Sequence, residues 1–376
     1  MKVTTVGSWP RRKSLLKAQK ARRNRQISRE EFDTVADAEV LRVLGMQIEA
    51  GVDVVTDGEQ RRDAFFSFIA DKLDGVEMMT LAGMLDFIED KAAFELILQT
   101  LDVPAYSISN ATCTGKVSRR EPLAVRELEF LRKHTDKPIK VPLPGPYLMT
   151  RAMFVREVSA KAYDTKEALG DDVVKILRAE VLELLDAGAS FIQFDEPVLT
   201  EVVFTQGQAR TFMCAALAAG KDPKEELEFA VSLMNRVLEG IDASAYGARI
   251  GLHICRGNWS RDESTLLSGN YSPLKPFLDR MPLDQVVLEY ATDRAGDVMR
   301  FAAPELGLGV VNPRTDRIES RDEIRQAIDR ALQFYAPEDL FVNPDCGFAT
   351  FSNRPVNVDE VAMNKIRAMR DAVDSY

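Results

Sequence analysis

The chain has 376 residues, of which 45% are hydrophobic and 29% are charged, and its formal net charge is −10. This balance is typical of a globular protein with a sizeable core, and the negative charge argues against nucleic acid or an anionic membrane as a general partner. No apolar run is long enough for a membrane span, and the first residues lack the apolar core of a signal peptide. Because four scattered cysteines cannot form a disulfide framework in so long a chain, the sequence predicts a reducing, cytoplasmic location.

Eight short apolar runs rich in β-branched residues alternate along the chain with longer segments of helical periodicity. In chain order, the runs begin at Val3, Val52, Ile139, Ser190, Ile250, Val286, Leu308 and Leu340. Nearly continuous apolar runs of this length are typical of parallel strands that are buried on both faces. Eight repeats of strand and helix therefore predict an α/β fold, a (β/α)8 TIM barrel, which forms a single domain over residues 1–376.

Two helices between these runs have clear boundaries in the sequence. Ser28 and Glu31 have the spacing of a capping box, and the helix that they open is expected to end near Gly51. A second helix carries one apolar face over residues 173–185 and is expected to end before Gly188.

Two segments do not fit the repeat. Residues 105–118 form a candidate ninth strand, and the long segment near 65–103 predicts an inserted helical hairpin. The first strand carries no G-x-G-x-x-G sequence, so nothing indicates dinucleotide binding.

Polar residues are concentrated where the apolar runs end. They are Ser8, Asp57, Glu59, Asp195, Glu196, His253, Cys255, Glu289, Arg314 and Cys346. In a (β/α)8 barrel the carboxyl ends of all strands meet at one mouth, where active sites lie. This distribution predicts an enzyme.

His253 and Cys255 are two residues apart on one predicted strand, so both side chains leave the same face. Imidazole and thiolate are ligands that zinc accepts, and Glu289 and Cys346 close other strands at places from which they could complete the site. Taken alone, however, an H-x-C pair is more often an inert core pair than a metal site. We expect Cys113 and Cys214 to be packing residues and His134 to lie at a solvated helix end.

The segments TTVGSWPR, DGEQ, FDEPVL, HICRGN, LEY and VNPDCGF, in this order, resemble the catalytic barrel of the cobalamin-independent methionine synthase family. The resemblance is closer to the short, single-barrel relatives of that enzyme, and it covers nearly the whole chain. It implies one zinc ion, held by His253, Cys255, Glu289 and Cys346. It also implies that the polar end of a thiol substrate is held by Ser8, Glu59 and Asp195.

The sequence also departs from the family pattern. Arg314 stands where the family has a general-acid histidine, so Arg314 is the candidate catalytic residue at that position. The tryptophan that stacks on folate in the family has no counterpart, since Thr150, Arg151 and Ala152 follow LPGPYLM. A second, N-terminal barrel would not fit within 376 residues. The half of the site that activates the thiol thus matches the family, whereas the half that binds the donor differs.

These features lead to three hypotheses. The first is a zinc-dependent transferase that alkylates a small thiol, most simply by methyl transfer from an unidentified donor to homocysteine, giving methionine. The second is an enzyme similar to epoxyalkane:coenzyme M transferase, because Arg61, Arg62, Arg256 and Arg314 could face a sulfonate or a developing alkoxide. The third is a non-catalytic zinc or thiol-binding protein. The expected partners are a small thiol and an alkyl donor, and assembly into a homo-oligomer is compatible with the sequence.

Overall fold

The structure is a computed structural model that describes residues 1–80, 109–204, 222–258, 267–352 and 356–376. Its strands are β1 (Lys2–Val3), β2 (Leu73–Thr80), β3 (Ser109–Arg119), β4 (Lys140–Pro144), β5 (Phe191–Asp195), β6 (Arg249–Ile254), β7 (Gln285–Glu289), β8 (Glu305–Val311) and β9 (Leu340–Pro344). Seven of them form one curved sheet in the order β1-β9-β8-β7-β6-β5-β4, and every neighbouring pair is parallel.

The segment after Val52 closes this sheet into a barrel. Parallel bridges join Thr4 to Val54 at one edge and Val55 to Ile139 at the other. The backbone N–H of Val55 donates to Pro138 O at 2.9 Å, and Lys140 N donates to Val55 O at 2.8 Å. The segment therefore occupies the eighth strand position. The predicted (β/α)8 TIM barrel is confirmed, and each of the eight apolar runs supplies one of its strand positions.

Helices surround the barrel. They are α1 (Lys13–Arg23), α2 (Arg29–Glu49), α3 (Val125–Arg132), α4 (Pro146–Met153), α5 (Arg156–Ser159), α6 (Lys166–Asp186), α7 (Val198–Phe204), α8 (Pro223–Leu238), α9 (Lys275–Leu278), α10 (Arg321–Ala331) and α11 (Asp359–Val373). The predicted capping box of α2 is present, with Glu31 N donating to Ser28 Oγ at 3.1 Å and Ser28 N donating to Glu31 Oε2 at 2.7 Å. Among the described helices, none has the length and apolar character needed to cross a membrane.

Short 3-10 helices lie at Ser67–Asp71, Ala243–Tyr246, Asp293–Ala295 and Pro337–Asp339. The predicted ends of two long helices agree with the structure, because Gly51 follows α2 and Gly188 follows α6, both with positive φ. Every residue of β4, β5, β7 and β9 is buried, as expected for strands covered by side chains within the barrel and by helices outside it.

The inserted segment differs from the prediction. Strands β2 and β3 pair with each other in an antiparallel ribbon, so the candidate ninth strand exists but does not join the barrel. The helical hairpin predicted near 65–103 is wrong for its described part, which is one 3-10 helix followed by β2. The strand forms because pairing with β3 satisfies its backbone while Leu73 and Val76 reach the core. Residues 81–108 of that prediction lie outside the described residues.

Gln47 of α2 anchors the closing segment, since its side-chain amide is buried against the backbone of Thr56. Gln47 Nε2 donates to Thr56 O at 2.8 Å, and Thr56 N donates to Gln47 Oε1 at 3.0 Å. We expect Gln47→Ala to lower the free energy of unfolding by about 2–4 kcal/mol, because two buried backbone groups lose their partners. Chemical denaturation measures this, with the exposed neighbour Ile48→Ala as the control. Equal losses in the two variants would contradict the anchoring role.

Candidate active site

Six of the eight predicted site residues line one cavity of about 530 Å³ at the carboxyl ends of the strands: Ser8, Glu59, Asp195, His253, Cys255 and Cys346. The parallel register explains part of this convergence, because Asp195 at the end of β5 lies directly opposite His253 of β6. Cys346 comes two residues after the end of β9, and Glu59 follows the closing segment. The side chains at these strand ends therefore converge on one cavity, as expected for a barrel of parallel strands.

His253, Cys255 and Cys346 form a cluster in which the potential ligand atoms all lie within 4.8 Å of one another. All three side chains are buried. His253 Nδ1 lies 3.1 Å from Val287 O, and since a carbonyl only accepts hydrogen bonds, this contact places the imidazole proton on Nδ1. His253 Nε2 is buried and has no hydrogen-bond partner among the described residues, so it is the ring nitrogen that is available to a metal ion.

The two thiols of the cluster differ in their acidity. The hydrogen bond from Cys346, together with His253, lowers the pKa of Cys255 to about 5 against the opposing effect of burial. The same contact with Cys255, followed by burial, raises the pKa of Cys346 above its ordinary value. The contact between the two thiols therefore makes Cys255 the more acidic of the pair.

This donor set fits zinc. One imidazole nitrogen with an available lone pair and two sulfur atoms are ligands that zinc accepts in tetrahedral sites. Val287 O supports the histidine through the other ring nitrogen, which is the usual arrangement around metal-binding histidines.

Glu289, the fourth predicted ligand, is not part of the cluster of three. It is the last residue of β7, and its Oε1 accepts a hydrogen bond from Arg256 N at 3.1 Å. Its oxygens also lie 3.6 Å from Arg314 Nη1 and 3.7 Å from Arg294 Nη2. The structure thus places Glu289 beside the cluster within a group of arginines, and its role as a ligand stays a prediction.

Ser8 connects the N-terminal loop to the loop that carries Cys346. Ala349 N donates to Ser8 Oγ at 3.3 Å, and Phe348 N donates to Ser8 O at 2.9 Å. A side chain at Gly347 would overlap Ser8 Oγ, so glycine is needed for this close approach. Because Ser8 Oγ accepts from Ala349, its own hydrogen can be donated into the cavity.

Glu59 combines a strained backbone with a buried carboxyl group. Its φ is +53°, a left-handed conformation that residues other than glycine rarely adopt. Burial raises the pKa of its carboxyl to about 7, partly offset by Arg62, and Oε2 has no hydrogen-bond partner among the described residues. A side chain at Gly7 would overlap this carboxylate, so the local sequence preserves the space that Glu59 occupies.

Asp195 is the second buried carboxylate of the cavity. Burial raises its pKa to about 6, against the opposing effect of His253. Gln193 Nε2 donates to its Oδ1 at 2.9 Å and fixes its orientation. Two buried acidic groups with raised pKa values in one cavity are typical of a functional site.

Arg314 does not line the cavity formed by the described residues. Its Nη1 donates to Gly257 O at 3.0 Å, and its Nη2 lies 3.8 Å from Asp345 Oδ2. It is completely buried between these groups and Glu289. The predicted catalytic role of Arg314 is untested, and its contacts are those of a residue that supports Glu289.

The other arginines that could have faced a sulfonate are also held by protein groups. Arg61 pairs with Asp37, and Arg62 pairs with Glu127. The Arg256 guanidinium lies 3.9 Å from the centre of the Tyr271 ring and donates to Gly269 O. None of them lines the cavity within the part of the chain that the structure describes.

Sequence reasoning missed several lining residues. Glu201 lies on the first turns of α7, directly after β5, and is a third carboxylate of the cavity; extending the strand-end rule into the following helix would have found it. Asn258 donates to Gly347 O at 2.6 Å and to Thr350 Oγ1 at 2.8 Å, and it thereby holds the Cys346 loop. Phe65 and Phe351 pack edge to face at the mouth, a contact between distant segments that no local pattern indicates.

The predicted inert residues lie elsewhere. Cys113 lies in β3, where it is buried and donates to Gly115 O, and His134 is exposed just after α3. Cys214 lies outside the described residues.

Comparison with known proteins agrees with the resemblance. The family model described as "Cobalamin-independent synthase, Catalytic domain" matches residues 1–375. The methionine synthase of Pyrococcus abyssi is 28% identical over 372 residues, which are 98% of this chain and 91% of that protein. The methionine synthase of Sulfolobus acidocaldarius is 26% identical over 347 residues, 92% of this chain and 84% of the relative.

Two solved structures share the fold. One is a B12-independent methionine synthase from Shewanella sp. W3-18-1 in complex with selenomethionine, with a TM-score of 0.69, 23% identity, and coverage of 100% of this chain and 97% of that chain. The other is a protein from Listeria monocytogenes, with a TM-score of 0.69, 20% identity, and coverage of 100% of this chain and 98% of that chain. The fold and the cavity define a barrel enzyme with a cluster of metal-binding type. The chain belongs to the cobalamin-independent methionine synthase family, and it is therefore a transferase.

The cluster predicts a loss of metal when either thiol is removed. We expect Cys255→Ser and Cys346→Ser to weaken zinc binding by more than about 100-fold, because loss of a ligand exceeds the effect of losing a supporting group. A competition titration against a chromogenic chelator measures this affinity. Cys113→Ser, which changes a buried thiol outside the cluster, should bind zinc like the wild type. Retention of wild-type affinity by both cluster variants would contradict the site.

Proposed function

We propose that this protein methylates the sulfur of homocysteine and so forms methionine. The observation that carries the proposal is that one cavity contains both the His253, Cys255 and Cys346 cluster and the carboxylates of Glu59 and Asp195. The two groups of residues match the two ends of an aminothiol, since the cluster suits its sulfur and the carboxylates suit its ammonium group.

The charge of the cavity favours an amino acid over a thiol that bears a sulfonate. Three carboxylates line the cavity, and no lysine or arginine is among its described lining residues. A cationic group compensates buried carboxylates, whereas a sulfonate would be repelled by them. The contacts of Arg61, Arg62, Arg256 and Arg314 with protein groups remove the feature that favoured a coenzyme M substrate.

In the proposed mechanism, His253, Cys255 and Cys346 would hold zinc, with Glu289 as the predicted fourth ligand. A bound zinc ion would lower the pKa of a coordinated thiol and so favour the thiolate at neutral pH. Glu59 and Asp195 in their ionised forms pair with the ammonium group, and Ser8 donates its hydroxyl hydrogen to the substrate carboxylate. Phe65 and Phe351 pack together at the mouth and reduce access of water.

The reaction transfers a methyl group as an electrophile. A lone pair of the homocysteine sulfur forms the new S–C bond, while the donor keeps the electron pair of its former bond to the methyl carbon. The chain must therefore orient the sulfur in line with that bond. Fixing the ammonium and the carboxylate of the substrate restricts the sulfur in this way.

Product analysis tests the proposal. The zinc-loaded enzyme is incubated with homocysteine or with coenzyme M, each with a methyl-pterin, methylcobalamin, a methylsulfonium compound or epoxypropane, and the thioether products are identified by mass spectrometry. We expect methionine from homocysteine with one of the methyl donors. Alkylation of coenzyme M in preference to homocysteine would contradict the proposal and support an epoxide-opening transferase.

The raised pKa of Glu59 predicts a pH dependence of homocysteine binding. Only the ionised carboxylate attracts ammonium, so the dissociation constant should fall by about tenfold between pH 6 and pH 8, as a group with a pKa of about 7 loses its proton. Calorimetric titrations at several pH values measure it. Glu59→Gln should weaken binding and show only the shallower dependence due to the thiol and Asp195, whereas the exposed Glu77→Gln should match the wild type. Identical pH profiles for Glu59→Gln and the wild type would exclude Glu59 from ammonium binding.

A further inference from the structure

The N-terminal loop connects the two ends of the candidate substrate site. Residues 8–11 lie between β1 and α1. They contact both the loop that contains Glu59 and the loop that contains Cys346. Trp9 N donates to Gly58 O at 3.0 Å, next to Glu59. Ser8 contacts Phe348 and Ala349, which follow Cys346.

Arg11 makes this connection with one side chain. Its Nη2 donates to Glu59 O at 2.7 Å, and its Nη1 donates to Ala349 O at 2.8 Å. Arg11 is only 6% exposed, and none of the ion pairs found among the described residues includes it. The two loops are 290 residues apart in sequence, from residue 59 to residue 349, and the fork of one guanidinium links them. Further along the same two segments, Ser352 N donates to Asp63 O at 2.8 Å.

A buried guanidinium bound to two carbonyls needs a physical reason. Burial lowers the pKa of Arg11, because removing a cation from water is unfavourable, although Glu59 opposes this effect. The planar fork can donate to two acceptors at a fixed spacing, and neither a lysine nor an apolar side chain can do this. The two hydrogen bonds of Arg11 are therefore better explained by a role in spacing the two loops than by a contribution to stability alone.

The backbone of Glu59 also requires support. Its φ of +53° is unfavourable for a residue with a side chain and persists only where neighbouring groups hold it. Asp57 Oδ1 accepts from Glu59 N at 2.9 Å, and Glu59 O accepts from both Arg62 N and Arg11. Of these groups, Arg11 is the one that also contacts the loop of Cys346.

We infer that Arg11 is a positioning residue that sets the distance between Glu59 and Cys346, and that this distance selects the length of the aminothiol substrate. The inference rests on the proposed function, in which the ammonium lies at Glu59 and the sulfur lies at the cluster. Cysteine is one methylene shorter than homocysteine, so it cannot reach both groups when their separation is fixed. If the separation of Glu59 and Cys346 could vary, the site would no longer distinguish homocysteine from cysteine.

The test compares Arg11→Met and Arg11→Lys with the wild type on homocysteine and cysteine. Thiol binding is measured by the change in the visible spectrum of the cobalt-substituted protein, and kcat and KM are measured for each thiol. Loss of one methylene from a substrate that fits its pocket lowers kcat/KM by about 10–200-fold. The wild type should therefore prefer homocysteine to cysteine by a factor within that range. Arg11→Met should reduce the preference by about tenfold or more, mainly through a higher KM for homocysteine. Lysine can reach one carbonyl, so Arg11→Lys should give an intermediate preference. The exposed neighbour Arg12→Met is the matched control and should keep the wild-type preference.

A merely structural role gives a different result. If both Arg11 variants reduce binding and kcat for the two thiols by the same factor, Arg11 does not set substrate length, and the inference is overturned. If Arg11→Met does not fold, the ratio for Arg11→Lys decides, since it keeps the charge and one hydrogen bond. If the wild type binds neither thiol, both the proposed function and the inference fail. The cobalt spectra identify that outcome, because neither thiol then changes them. If both thiols bind and the Arg11 variants keep the wild-type preference, only the inference fails.

Discussion

Closure of the barrel by the short segment around Val54 and Val55 is the constraint on which the site depends. This segment is held by two isolated bridges, by its hydrogen bonds to β4, and by the amide of Gln47. It leads directly into Glu59, so it fixes one end of the cavity relative to β1 and β9. Without closure at this point, β1 and β4 would be the free edges of an open sheet, and Glu59 would not be held beside the other residues of the cavity.

The cavity concentrates groups that destabilise the folded protein. Burial raises the pKa of Glu59 and of Asp195 to values near neutrality, so ionising them within the fold is unfavourable. Glu59 also has a left-handed backbone conformation. Such a combination is expected where a ligand compensates the unfavourable charge, because stability alone would favour neutral or exposed side chains. The unfavourable burial of these two carboxylates therefore supports the proposal that the cavity binds a cationic group.

Much of the fold could be predicted from the sequence, because strands buried on both faces give continuous apolar runs, and all eight runs form walls of the barrel. The inserted segment could not be predicted, since β2 and β3 form a ribbon that pairs residues 29 to 46 positions apart in sequence, which local periodicity does not indicate. Strand ends predicted the location of Ser8, Glu59, Asp195, His253, Cys255 and Cys346. The partners of Arg256 and Arg314 could not be predicted, because Gly269, Tyr271 and Asp345 approach them only in three dimensions.

We propose that one cavity recognises both ends of an aminothiol. Calorimetric titration of the zinc-loaded protein with homocysteine, 4-mercaptobutyrate and homoserine tests this, since the second compound lacks the ammonium group and the third lacks the sulfur. We expect each analogue to bind at least about tenfold more weakly than homocysteine, because each loses one charge-assisted or metal contact. Equal affinity for homocysteine and 4-mercaptobutyrate would show that the cavity does not recognise the ammonium group.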